Sequence, residues 1–500
     1  MNTSSTPTSS DAVSLEKSVR KPFPLSLTQS LVLGSSALFL GLLGNWLFRA
    51  DALGLNWSLY LGLFAALLLG LTRRFELERP NLFLLGSLGL LALLFPWRAS
   101  PFLQTLNVAV TLVFLGLLVT RLTWASLLRT NVSELAFNLF RAPFTLLPNL
   151  FHFFTGNRWS DLVPQDSRSF QAMRSALRGL AFAFPLVAIF ALLLASADAL
   201  FESFLSGLVS FDVGMLFNHL FVIGLFTLLT LALLAQTLIG ERWHALEVNA
   251  PPLFRLGVIE TSIVFGSLVA LFLSFFAVQF GYLFGGERLL STTGLSYAEY
   301  GRRGFFELVA VTVLLHLVLL SGLWLVSKGR AFAMYRVLAT SLVVLLFGVI
   351  WSAHSRLGLY IDAYGLTELR YYSSAMIFWI GTVMLYFLVR LFYTHAPKVA
   401  PAYLALGLLG VVALYVSNPD ARIAQVNLAR VQHSELDAGY LDQLSLDAAP
   451  VIVRSLDTLP VEERSEVARD LRRKRRDLHA ADWRSFNVGR WRGARALGDF

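Results

Sequence analysis

Eleven runs of apolar residues dominate this chain, and they limit its fold more than any other feature. They are Leu27–Leu47, Ala52–Leu71, Pro80–Trp97, Pro101–Thr120, Leu180–Ala197, Phe217–Ile239, Val258–Leu283, Phe305–Val326, Phe332–Trp351, Ser373–Phe392 and Pro401–Val416. Each approaches the ~20 residues that carry an α-helix across a hydrocarbon core of ~30 Å. A transmembrane β-barrel would instead alternate apolar and polar residues over about ten positions. Charged residues make up 15% of the chain, against roughly a quarter in soluble domains. The fold class is therefore all-α, a polytopic membrane helix bundle of about 11 transmembrane helices with a small helical C-terminal tail.

The rest of the sequence divides around those runs. Residues 1–26 read as a disordered tail, rich in Ser and Thr and basic at its end through Lys17, Arg20 and Lys21. Residues 27–120 form a four-helix membrane region, 121–178 a cytoplasmic amphipathic linker, 179–417 a seven-helix membrane core, and 418–500 the helical tail. In the linker, arginines from Arg121 to Arg178 interleave with Phe, Leu and Trp. Around Ser133–Phe154 that pattern fits one or two helices lying on the membrane face, or an ordinary linker.

Arginine placement sets the orientation. With a cytoplasmic N-terminus, the inner loops hold Arg73, Arg74, Arg79, the 121–178 group, Arg242, Arg255, Lys328, Arg330 and Lys398, as the positive-inside rule asks. The outer loops then hold Arg49 and Asp51, Arg98, the acidic trio Asp198, Glu202 and Asp212, and the stretches 295–304 and 352–372. An odd number of spans puts the tail outside. The net charge of +9 reads as loop charge of this kind and not as a nucleic-acid footprint.

Three polar stretches share the expected outer side. In Leu295–Leu308, Glu299, Arg303 and Glu307 lie four apart, and Arg302 lies three from Glu299. This spacing gives a salt-bridged cap on the following helix, or a site in which Arg302 or Arg303 grips an anion with both arms of its guanidinium. The second stretch places Tyr360, Asp362, Tyr364, Glu368 and Arg370 around Gly365, a helix breaker. Tyrosines there suit an interfacial belt; the charges call for partners, with Arg303 expected to meet Asp362 or Glu368. In the third, Asn418 or Asp420 would cap a helix carrying Arg422, Asn427 and Arg430. Together these residues form the expected binding cluster.

Ionisable side chains within spans are candidates of a second kind. His316 lies mid-span and is expected to bond a polar group such as Ser341, Thr340 or Ser267 on a neighbouring helix. Glu260 and Arg336 lie near inner span ends, where they either snorkel or pair. Asn218 and His219 have no partner legible in the sequence. The basic run Arg472–Arg476 is a solvated helix face or a contact for anionic lipid.

The absence of cysteine excludes disulfides, Cys-ligated zinc, iron–sulfur clusters and thiol nucleophiles. No Walker loop, Rossmann glycine pattern, HExxH or GxSxG is present, and the eight histidines show no metal spacing. No cofactor or metal is expected, and the balance is against an enzyme.

Four stretches, Thr292–Leu308, Tyr360–Tyr372, Asn418–Arg430 and Asp482–Arg495, carry a resemblance in their order and spacing. Together they resemble a family of bacterial inner-membrane proteins known as domain of unknown function number forty-one seventy-three. The resemblance runs from Arg174 to the C-terminus, with the four N-terminal helices as an addition. It implies a bacterial inner (plasma) membrane location and brings no established activity. The expected function is a scaffold or sensor whose outer face and tail recognise an envelope partner. The alternative is a transporter or membrane-embedded enzyme acting on an anionic or lipid-linked substrate. The expected partners are the lipid bilayer and an envelope protein or lipid-linked ligand, with no nucleic acid.

Overall fold

The computed structural model describes residues 26–74, 81–156, 213–239, 254–283, 305–393, 399–431, 437–476 and 482–498, with isolated positions between 172 and 201. Among the described residues all regular structure is helical, apart from one isolated bridge between Leu256 and Val326. In chain order the elements are α1 (Leu27–Leu47), α2 (Leu55–Arg74), α3 (Leu82–Leu94, continued by a 3-10 turn to Trp97), α4 (Pro101–Val119), α5 (Trp124–Arg129) and α6 (Val132–Gly156). Then come α7 (Val213–Ile239), α8 (Val258–Leu283), α9 (Phe305–Leu325), α10 (Arg330–Tyr364), α11 (Glu368–Tyr393) and α12 (Ala400–Ser417). The tail adds α13 (Pro419–Ala429), α14 (Ala438–Gln443), α15 (Ala449–Ser455), α16 (Val461–Arg476) and α17 (Val488–Gly498).

Nine of these helices are long and apolar enough to cross a membrane, and α3 is a shorter apolar helix. The protein is a polytopic helical bundle. Ten of the eleven apolar runs thus coincide with described helices; Leu180–Ala197 lies almost wholly outside the described residues.

The chain divides into two compact units. The first comprises Met1–Asn45, Gly70–Glu78 and Pro143–Arg242. Within it Asn45 on α1 meets the His219 ring on α7 at 3.0 Å, which supplies the partner that the sequence did not show. The Asn149 amide on α6 donates to Gln236 on α7.

The second unit comprises Trp46–Leu69, Arg79–Ala142 and Trp243–Phe500. Its main core is built from α8, α9, α10 and α11, around Phe265, Leu319, Tyr335, Leu342, Leu346, Phe387 and Leu391. Large apolar side chains on the other faces of these helices, among them Ile263, Leu314, Val337 and Phe378, point outward. A soluble protein would bury such a surface; hydrocarbon accepts it. Backbone bonds from Leu256 to Leu325 and Ser327 (3.0 and 2.9 Å) bring the start of α8 and the end of α9 to one end of this unit. Arg255, Lys328 and Arg330 gather there.

At the opposite end α10 continues well past its apolar run. Its 35 residues reach about 52 Å at 1.5 Å per residue, far more than the ~30 Å core. The sequence suggests a long turn over Tyr360–Tyr372; instead Tyr360–Tyr364 complete the helix, and the turn is only Gly365 to Thr367.

The tail folds onto this same end. Ile423, Leu428, Leu441, Ile452, Leu456, Leu471 and Leu497 form a second apolar core, and Leu366 from the α10–α11 turn belongs to it. Trp46, Trp97, Trp483 and Trp491 remain exposed, with the Trp46 and Trp483 rings 5.5 Å apart. Indole rings of this kind favour the level of lipid head groups.

Candidate functional site

The site is built where the tail meets three span-end turns of the second unit. The first junction is at the α10–α11 turn. Gly365 ends α10 at φ +79° and ψ 177°, which leaves Leu366 with an unpaired backbone. Asn427 of α13 supplies both partners: its Oδ1 accepts the Leu366 N–H and its Nδ2 donates to the Leu366 carbonyl, each at 2.8 Å. Arg430 donates to the carbonyls of Ile361 and Asp362. Arg370 donates to Tyr364 and Gly365 and stacks over the Tyr360 ring at 4.0 Å. The Glu368 N–H, an orphan of the first turn of α11, donates to the Tyr440 hydroxyl at 2.7 Å.

The second junction is buried and charged. Arg98, in the α3–α4 turn, is 8% exposed, and Asp447, before α15, is 6% exposed. Arg98 donates through Nε to the Tyr415 carbonyl (2.7 Å) and through Nη2 to that of Val416 (3.4 Å). Its Nη1 lies 3.8 Å from Asp447 Oδ1. Asp447 Oδ2 accepts the N–H groups of Ala99 (2.5 Å) and Ser100 (3.2 Å). Ser100 Oγ meets the Tyr372 hydroxyl at 3.3 Å. Gly489 makes this closeness possible, because a Cβ there would sit 2.2 Å from Asp447 Oδ1 and 2.8 Å from the Ala99 nitrogen. Burial lifts the Asp447 carboxyl above its usual range, opposed by the Ala99 N–H and by Arg98. Burial likewise lowers the Arg98 guanidinium, opposed mainly by Asp447.

Asp420 is fully buried in the first turn of α13. Its Oδ2 accepts the Ser445 N–H at 3.2 Å. The third junction ties in the α1–α2 turn: Leu55 N–H donates to the Phe486 carbonyl (2.9 Å), Arg490 donates to Leu53, and Arg484 to Trp46. Asn487 donates to the Arg98 carbonyl at 2.7 Å.

Beside Arg98 and Asp447 lies a cavity of about 180 Å³ lined by Arg98, Asn418, Asp447, Arg454, Gly489 and Arg492, among others.

The sequence-derived candidates fall into three groups. Tyr360, Asp362, Tyr364, Glu368, Arg370, Asn418 and Asp420 lie at the tail junction, though Asp362 contributes its backbone carbonyl while its side chain is exposed. Arg422 is exposed and donates to Gln425. Glu307 is exposed in the first turn of α9; Glu299, Arg302 and Arg303 lie outside the described residues, and with them the Arg303 contact. One expectation needs correcting. Neither Asn418 nor Asp420 caps α13 through its side chain: Asn418 takes a left-handed conformation (φ 50°) with no capping bond, and Asp420 turns inward to Ser445.

Among the span residues, His316 does have a partner on another span, but a different one. Its Nε2 lies 2.9 Å from the Tyr403 hydroxyl, whereas Ser341, Thr340 and Ser267 each donate to carbonyls of their own helix. Arg336 lies over the Phe332 ring at 5.6 Å, and Glu260 is exposed at the start of α8. The His316–Tyr403 pair sets a first prediction. Tyr403→Phe and His316→Leu should each lower the unfolding midpoint in detergent, by an amount equivalent to about 0.6–1.7 kcal/mol for an interhelical polar pair. The double variant should cost less than the sum of the two; strictly additive costs would show that the pair is not coupled.

Sequence reading missed Asp447, Arg454, Asn487, Gly489 and Arg492, and treated Arg98 only as a loop charge. The Asp482–Arg495 stretch did stand out, and it contains three of them.

These features define a class: a polytopic helical membrane protein whose C-terminal tail is docked onto its span ends through buried polar groups. A family model described as Domain of unknown function (DUF4153) matches residues 85–455, and the chain belongs to that family. This corrects the family suggested by the four polar motifs, number forty-one seventy-three. Short polar strings between apolar runs are compatible with more than one polytopic family. The matched range also begins in α3, well before Arg174, so α4 falls inside it and α17 outside. Comparison with curated proteins and with solved structures gives no match.

Proposed function

We propose that this protein is a sensor or scaffold of the bacterial inner membrane, with its N-terminus cytoplasmic and its docked tail on the outer side recognising an envelope component. The observation that carries this reading is the junction itself. Asn427, Arg430, Asp447, Asn487 and Arg490 lock the tail onto span-end backbone, which gives a contact made on the tail a route to the spans. The basic residues at the opposite end of this unit support the outward placement of the tail. The alternative is a transporter or membrane-embedded enzyme acting on an anionic or lipid-linked substrate at the same face; the arginine-lined cavity suits an anion under either reading.

The test exploits the absence of native cysteine. Ser465→Cys on exposed tail helix α16 and Thr123→Cys beside α5 are treated in intact cells with a membrane-impermeant, thiol-reactive photo-crosslinker. The expected result is labelling at 465 and not at 123, with one discrete adduct from 465. Labelling at 123 alone, or labelling at 465 without an adduct, would overturn the reading.

A further inference from the structure

The cavity beside Arg98 carries more positive charge than its surroundings neutralise. Three arginines and one aspartate line it. The aspartate is already committed, with Oδ2 taken by Ala99, Ser100 and, at 3.4 Å, the Ser445 hydroxyl. Arg98 spends Nε and Nη2 on carbonyls, and its Nη1 has no acid closer than 3.8 Å. Arg454 is oriented by an Nε bond to the Pro450 carbonyl at 2.8 Å. That bond leaves its terminal nitrogens without a partner among the described residues. Arg492 makes no hydrogen bond or ion pair among the described residues, and it sits close enough to Arg98 to disfavour the Arg98 charge. Like charges gathered around one void favour an anion within it.

The buried Oδ1 of Asn418 also finds no partner among the described residues. An amide so placed, turned about its last bond, offers two N–H donors to the cavity instead. The space is roughly six times the ~30 Å³ share of one liquid water, enough for a tetrahedral oxyanion with some solvent. Guanidinium forks match phosphate oxygens in pairs. A neutral apolar occupant would desolvate the same cations without compensation.

We propose that Arg98, Arg454, Arg492 and Asn418 form a binding site for a phosphate group, supplied by a lipid head group or by a free phosphate; this rests on the outward placement of the docked tail and names the class of ligand bound there. Trp491, next to Arg492 in α17, is exposed, and indole rings favour the level of lipid head groups. The Asp447 bonds to Ala99 and Ser100 hold the α3–α4 turn, so occupancy of the site is coupled to tail docking.

The experiment uses the full chain in detergent and in nanodiscs. Inorganic phosphate is titrated against the detergent-purified protein, and nanodiscs of phosphatidylglycerol are compared with nanodiscs of phosphatidylcholine by the shift in unfolding midpoint. Arg492→Gln and Arg454→Gln are the variants, since both side chains are exposed and their loss leaves the Arg98 junction intact. Each should weaken phosphate binding about tenfold, the loss of one charge-assisted pair, and Arg492→Lys should recover part of it. Binding of inorganic phosphate assigns the free anion. Stabilisation by phosphatidylglycerol alone, lost in the variants, assigns the head group. If neither probe binds the wild type, or the variants bind as the wild type does, the site is overturned. The Ser465→Cys adduct separates the two levels. If the adduct persists without phosphate binding, this inference falls and the sensor reading stands.

Discussion

Asp447→Ala is expected to release the tail from the span ends at a cost of about 3 kcal/mol. That figure is the low end of the range for orphaning a buried charged partner, because Arg98 keeps its bonds to the Tyr415 and Val416 carbonyls. The Ala99 and Ser100 N–H groups lose their acceptor as well. Limited trypsin digestion should show the change directly, with cleavage in the basic stretch Arg472–Arg476 becoming much faster while the membrane core stays intact. Asp447→Asn keeps an acceptor and should be milder. The wild type also differs from both variants in pH behaviour. Because burial raises the Asp447 carboxyl above its usual range, the docked state takes up a proton more readily than the undocked one. Its contribution to docking therefore grows as pH falls from neutrality through the raised pKa, and it levels off below the ordinary aspartate range. Both Asp447→Asn and Asp447→Ala should remove that slope. Unchanged digestion of Asp447→Ala would show that the charged junction does not hold the tail.

The membrane architecture was legible because its signal is long. An apolar run of about twenty residues needs no tertiary information to read as a span, and ten such runs coincide with helices. The same physics hid the end of α10. Ala353 and Leu357 pack against Ile377 of α11, and the last turn is met by residues 60–70 positions away, such as Arg430 on Ile361 and Asp362. The polar residues of the 360–370 and 418–430 stretches were legible as belonging together, and Asn427 and Arg430 do join them. Their manner of joining was not. Side chains bond to backbone exposed at a helix end, whereas charge-pair reasoning searches for side chains of opposite sign. Asp447 was hidden for a related reason. It sits in LSLDAAP, with no charged neighbour in sequence, and its partner Arg98 is more than three hundred residues away. Gly489 needs to be glycine only because of those two, so no local pattern could announce it.

Gly365→Ala is expected to be at least as damaging, through two effects that can be separated. The backbone at φ +79° and ψ 177° lies in a region that is essentially reserved for glycine, and forcing another residue into it costs about 1–3 kcal/mol. The added Cβ would also stand 2.9 Å from Asn427 Oδ1, the atom that accepts the Leu366 N–H. Displacing Asn427 weakens both bonds to Leu366, at about 0.5–1.5 kcal/mol each. The single variant should therefore lose about 3–4 kcal/mol in detergent unfolding, and Asn427→Ala alone about 1–3, from the same two bonds. In the double variant the clash is gone but the backbone cost remains. Its loss should fall short of the sum by about 1 kcal/mol or more, as expected for residues in direct contact. Strict additivity would mean that the methyl group never meets Asn427. A Gly365→Ala protein as stable as the wild type would mean that the α10–α11 turn can relax without glycine, and that the tail is held elsewhere, chiefly by Asp447 and Arg98.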